Sequence, residues 1–212
     1  MKKIIIAIDS FKGCLTSAEA GKAAEKGIKS INPSCHTSVI PIADGGEGLL
    51  DVLITATKGK YITLSAHGPL MKMAKTHYGL SGNGRTAIIE MAAISGLPLV
   101  PIEQRNPMLT TTFGTGELIK DALNKGCRNF IIGIGGSATN DAGLGMLQAL
   151  GFRFLDKSGH TLGTGGQIME AVANIDTSGI HPALRETHFM VACDVANPFY
   201  LSLIHISEPR DS

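Results

Sequence analysis

The chain has 212 residues, 43% of them hydrophobic and 17% charged, which is enough to bury a real core in one or two domains. With 19 basic and 18 acidic residues the formal net charge is +1, so nothing electrostatic favours nucleic acid or an anionic membrane as a partner, and three tyrosines with no tryptophan make a poor base-stacking platform. Cys14, Cys35, Cys127 and Cys193 lack C-x-x-C spacing and no apolar run reaches membrane-spanning length, which argues against zinc and predicts a reduced, cytoplasmic setting.

Lys3 to Ile8 predicts a first strand, with Asp9-Ser10-Phe11-Lys12-Gly13 at its carboxyl end, where open α/β sheets place their ligands. Thr16 and Glu19 have capping-box spacing for a helix that carries Gly21, Ala24, Ile28 and Ile31 on one side and ends at Asn32-Pro33. Thr37 to Ile42 then completes a βαβ unit. Ala43-Asp44-Gly45-Gly46-Glu47-Gly48 leads from that strand into a helix bearing Leu49, Leu50, Val52 and Leu53. Successive parallel strands end on one side of a sheet, so Asp9, Ser10 and Lys12 are expected to face the same crevice as Asp44 and Glu47. Those two acids also suit a helix start, but a run this rich in glycine is costly in backbone entropy for a mere connection.

From Lys60 the pattern becomes β-rich, which predicts a second domain. Tyr61 to Ala66 alternates, and Met71 to Leu80 and Arg85 to Met91 flank the hairpin signal Ser81-Gly82-Asn83-Gly84. Glu90, inside an otherwise apolar strand, is expected to be structurally paired, with facing a site as the lesser alternative. Thr110-Thr111-Thr112-Phe113-Gly114-Thr115-Gly116-Glu117 is expected as an anion-friendly turn before a helix over 118–124.

Arg128 to Gly151 is the most informative stretch. Phe130, Ile131, Ile132 and Ile134 predict a strand covered on both faces. Gly133, Gly135 and Gly136 predict a βα turn, and Ser137, Thr139, Asn140 or Asp141 can cap a helix lined by Leu144, Leu147 and Leu150 and stopped by Gly151. Such a turn suits a phosphate, although tight turns need glycine in any case. The dense polar cluster favours function: Asp141 beside a phosphate requires a divalent cation or a substrate hydroxyl between them, as phosphoryl transfer uses. A competing pattern shares these letters, since Gly133, Gly135 and Ala138 satisfy G-x-G-x-x-A and Asp156 follows as a ribose-binding acid would, the signature of an NAD-dependent oxidoreductase. No Walker-type P-loop occurs.

After Gly151 the pattern gives a strand over 152–155, a turn at Lys157-Ser158-Gly159, the glycine loop 162–166, a helix over 167–173 and a buried strand over 187–193 with Asp194 and Asn197 at its carboxyl end. The seven histidines show no ligand spacing.

In this order, DSFKG at 9–13, PIADGGEG at 41–48, IEMAAISGL at 89–97, TTFGTGELI at 111–119, IGGSATNDAGLGMLQALG at 134–151 and CDVANP at 193–198 resemble the type 1 glycerate kinase family over about residues 1–199. The resemblance implies phosphorylation of D-glycerate with ATP and Mg²⁺, and an α/β fold in which a Rossmann-like parallel-sheet domain carries an inserted second α/β domain. Residues 1–59 would then be the N-terminal part of the first domain and 60–200 the inserted one. It further implies an interdomain cleft lined by Asp9, Ser10, Lys12, Asp44, Gly45, Gly46 and Glu47. Lys12 would meet transition-state phosphate charge, and Asp44 the metal or the glycerate hydroxyl. Gly114-Thr115-Gly116 and Gly135-Gly136-Ser137 would hold phosphate or carboxylate oxygens, with Asn140, Asp141 and Asp194 ligating Mg²⁺ or positioning the acceptor. Residues 201–212 match nothing in the family and resemble a non-native tail, which predicts a first domain with an unpaired sheet edge.

Overall fold

The structure is a computed structural model and describes residues 3–11, 14–43 and 48–193. It is a mixed α/β arrangement. Strand β1 (Lys3–Ile6), helix α1 (Ser17–Ile31) and strand β2 (His36–Val39) form a βαβ unit whose two strands pair in parallel, Ile6 opposite Val39. Both strands are shorter than their apolar runs. The predicted capping box is present: Glu19 N donates to Thr16 Oγ1 at 3.2 Å and Thr16 N to a Glu19 carboxylate oxygen at 2.9 Å.

Helix α2 (Leu49–Thr57) leads into strands β3 (Lys60–His67), β4 (Met73–Leu80) and β5 (Thr86–Glu90), which pair antiparallel in sequence. The β4–β5 turn forms as its residues demand. Gly84 takes φ +68°, and Asn83 Oδ1 accepts from Arg85 N at 2.9 Å. β5 then pairs in parallel with β6 (Asn129–Gly133), and β6 in parallel with β9 (His188–Ala192), giving the order β3-β4-β5-β6-β9. Between β5 and β6 lie the short helix α3 (Ala92–Ser95) and helix α4 (Phe113–Asn124). Between β6 and β9 lie helix α5 (Leu144–Ala149) and the small antiparallel pair β7 (Arg153–Leu155) and β8 (Asn174–Asp176).

The centre of the five-stranded sheet is covered on both faces, which is why β5 is apolar without alternation. Ile89 packs with Leu118, Ile119, Leu123 and Phe130 in the main core, while Ile88 packs with Leu50 and Ile54 of α2. Helix α2 thus packs on the larger sheet across the expected boundary at residues 59 and 60.

Four local expectations change. Residues 113–117 are the first turns of α4 and not a loop ahead of it. Helix α5 starts only at Leu144, after an irregular connection from residue 134. Residues 166–171 form a 3₁₀ helix in place of an α-helix. β9, expected to be buried, is largely exposed, with Phe189 at 45%, Met190 at 66% and Val191 at 56%.

Candidate functional site

The three parallel strands of the large sheet end level with one another. Glu90, the last residue of β5, lies opposite Gly133 of β6, which lies opposite Ala192 of β9. The segments that follow, including the glycine connection from residue 134, therefore start from one sheet edge. The loops after β1 and β2 start level in the same way and are tied together by one buried side chain: Ser17 Oγ donates to Ile8 O at 2.6 Å and accepts from Ile42 N at 2.9 Å. Asp9 is partly buried and its carboxylate accepts from Ser10 N at 2.6 Å.

An open cleft of about 450 Å³ lies between the loops after β1 and β2 and the end of β5, lined by Ser10, Phe11 and Ile42 on one side and by Gly48, Asp51, His77 and Glu90 on the other. Glu90 caps α2, accepting from Leu50 N at 2.8 Å. Burial pushes its carboxyl above the ordinary range. The Leu50 and Gly48 amides pull it back, and nearby Asp51 pushes it further up. Asp51 accepts from the Tyr61 hydroxyl, and this bond together with burial raises the phenol to about 12. The sequence held a site position for Glu90 only as the lesser alternative and did not point to Asp51 or His77, because no motif links residues 39 positions apart.

Asp141 is 1% exposed. Its carboxylate accepts from Thr112 N at 2.8 Å, from Gly143 N and Gly145 N at 3.1 Å, and from the hydroxyls of Thr111 at 3.2 Å and Thr112 at 3.0 Å. The helix start at Thr112 does attract an anion, but that anion is the chain's own carboxylate. With its lone pairs taken by internal donors, Asp141 holds α4 to α5, a positioning role that differs from the ligating one expected for it. The α4 glycines serve close packing as well, Gly114 against β3 and Gly116 against α5. A Cβ on Gly114 would meet His67 O at 1.9 Å and one on Gly116 would meet Met146 O at 2.3 Å, while Thr115 Oγ1 lies 2.8 Å from Ser95 Oγ in the interior. Gly114, Thr115 and Gly116 are therefore packing residues without a free surface for a ligand.

The second predicted turn is open. Gly135, Gly136 and Asn140 are exposed, Gly136 takes φ +71°, and Ser137 Oγ lies 2.7 Å from Thr139 Oγ1. The dinucleotide pattern fails on geometry. Eight residues separate Gly135 from the first residue of α5, so no helix start directly follows the glycines as that site requires. Asp156 follows a short strand paired with β8 and bridged at Leu155 to Thr161, and it accepts from Ser158 N and His160 N within its own turn.

Lys12, Asp44, Gly45, Gly46, Glu47, Asp194 and Asn197 lie outside the described residues. Among the described residues no group of three His, Cys, Asp or Glu side chains could hold a metal ion, and Asp141 has no oxygen to spare. Among the described residues, too, no helix is long and apolar enough to cross a membrane.

A mixed α/β protein whose polar loops gather at parallel strand ends around an open cleft is of the class that binds small ligands there. The glycerate kinase family profile matches residues 4–200. The chain is 54% identical over 196 residues to the glycerate kinase of Bacillus subtilis (strain 168), covering 92% of this chain and 51% of that protein. It is 50% identical over 196 residues to the glycerate 2-kinase of Escherichia coli (strain K12), with 92% and 51% covered. A crystal structure assigned as glycerate kinase 2 from Salmonella typhimurium LT2 superimposes with a TM-score of 0.84 at 49% identity, over 93% of this chain and 53% of that one. The chain belongs to the glycerate kinase family, and it spans about half the length of these relatives.

Proposed function

We propose that this chain carries the glycerate-phosphorylating loops of its family and serves ATP-dependent transfer of a phosphoryl group to D-glycerate, giving phosphoglycerate. The observation that carries the reading is one cleft walled by the loops after β1 and β2 and by the end of β5, with Ser10 and Glu90 on its walls. Phosphoryl transfer needs placement and charge neutralisation more than covalent chemistry, and loops held at strand ends supply fixed placement.

In this reading the loops after β1 and β2 form one wall of the site, held at a fixed spacing by Ser17. Lys12 meets the charge that develops on the transferred phosphoryl group. Asp9, Ser10, Gly45, Gly46 and Glu47 line the wall, and Asp44 orients the acceptor hydroxyl or, with Asp194, the cation that accompanies ATP. The Gly135-Gly136-Ser137 segment and Asn140 take phosphate or carboxylate oxygens. The βαβ unit belongs to a Rossmann-like domain, and residues from 60 onward to an inserted α/β domain. An oxidoreductase is not supported, because neither the Gly133-Gly135-Ala138 turn nor Asp156 has the required surroundings.

Coupled ADP formation tests the reading. ADP release from Mg-ATP that rises with D-glycerate and saturates is expected. Release equal with and without D-glycerate would overturn it.

A further inference from the structure

On the β6 side of the sheet edge, away from the main cleft, a second cavity of about 250 Å³ lies between the 97–107 loop and the segment after β6. Its apolar wall is Leu97, Val100, Pro107 and Ala138, and its polar side chains are Arg105, Asn106, Ser137 and Thr139, of which Asn106 Oδ1 already accepts from Met108 N at 3.0 Å. Both walls are fixed. Leu97 N donates to Gly136 O at 3.0 Å, Ala138 N to Ser95 O at 2.9 Å, and Thr110 Oγ1 to Ala138 O at 2.8 Å. The glycine loop braces the same place: Gln167 N donates to Met108 O at 2.9 Å, and a Cβ on Gly166 would meet Asn140 O at 2.7 Å and Pro107 O at 2.9 Å.

The donors in this cavity exceed the acceptors. Arg105 Nε donates to Val100 O at 3.3 Å, and among the described residues no acid lies within ion-pair distance of its guanidinium, which leaves the Nη hydrogens to be accepted. Ser137 Oγ accepts from Thr139 N at 3.0 Å and lies 2.7 Å from Thr139 Oγ1. Two hydroxyls in mutual contact use one hydrogen between them and leave the other to donate.

We infer that Arg105, with the Ser137–Thr139 hydroxyl pair, forms a binding site for a small oxyanion. A guanidinium fork matches a carboxylate or a phosphoryl group in bidentate fashion, and the hydroxyl adds a third donor from the opposite wall. A cavity of this size is below the usual range for a drug-sized ligand, so it takes a single phosphate or a three-carbon acid and not a whole nucleotide. The identity of the acid as glycerate rests on the function proposed above, while oxyanion binding at Arg105 does not.

The test is calorimetric titration of the 212-residue chain with inorganic phosphate, D-glycerate and ATP, for the wild type, Arg105→Lys and Arg105→Gln, with urea unfolding of each. Arg105→Gln is expected to weaken binding of the preferred small anion about 10- to 100-fold with the urea midpoint unchanged, and Arg105→Lys is expected to fall between. Raised salt should weaken the wild type as well. Tighter binding of D-glycerate than of phosphate identifies a carboxylate site, and the reverse a phosphoryl site. Arg105-dependent binding without any phosphoryl transfer would sustain this inference while removing the kinase reading. Binding of both small anions that is equal in wild type and Arg105→Gln, or absent from the wild type at 10-fold over typical millimolar levels, would overturn it.

Discussion

Replacing Asp141 removes a buried acceptor that joins α4 to the start of α5. In Asp141→Ala the amides of Thr112 and Gly145 lose their partner in a buried place and that of Gly143 in a partly buried one. At the lower end of the usual cost, about 1 kcal/mol for each stranded buried amide, the first two contribute roughly 2 kcal/mol, the Gly143 amide adds less, and the small cavity adds about 1 kcal/mol more. Asp141→Asn keeps one acceptor oxygen but turns an NH₂ toward other N–H donors, so it should cost less, about 1–2 kcal/mol. Set against a typical domain stability of about 5–15 kcal/mol, the alanine change takes a large share. Urea unfolding at pH 7 reads both from the midpoint at constant slope. An alanine variant within about 0.5 kcal/mol of wild type would refute the view that Asp141 is a structural clasp.

Three further outcomes follow from the same geometry. Gly114→Ala drives a Cβ into His67 O and should destabilise by about 2 kcal/mol or more, whereas Gly27→Ala meets nothing in the middle of α1 and should stabilise by about 0.5–1 kcal/mol; thermal melts of the two decide it. Thr16→Ala removes the capping box and should lower stability by about 1 kcal/mol, which urea unfolding would detect. Glu90 has a folded pKa above its unfolded value of 4.5, so the folded state holds its proton more tightly, and stability falls as pH rises from 4.5 through the folded value. Glu90→Gln keeps an acceptor for Leu50 N and should flatten that decline in urea midpoints between pH 4 and roughly pH 8; an unchanged slope would place the decline elsewhere.

Local rules with a short physical reach could be read directly from residues. The Thr16–Glu19 box, the Asn83-Gly84 turn and the unbroken apolar run of β5 all formed as their letters require. What could not be read depends on distant partners. Thr111 and Thr112 look like free helix-start donors until Asp141, about thirty positions later, fills them. Gly114 and Gly116 look like a phosphate turn, and only the approach of His67 O and Met146 O shows that they are there for close packing. Glu90 reads as an ordinary buried acid because its partner, Leu50 N, stands 40 positions away on another element. β9 has the apolar letters of a buried strand, yet among the described residues only β6 pairs with it, and Met190 is exposed.

The function proposed for this chain is transfer of a phosphoryl group onto glycerate. Incubation with γ-³²P-labelled ATP, Mg²⁺ and D-glycerate, followed by separation of the acids, tests it most directly. The account predicts label in phosphoglycerate, and a strong loss of that label in Lys12→Ala at unchanged urea stability. Label that stays in ATP or passes only to inorganic phosphate, whatever the glycerate concentration, would contradict it.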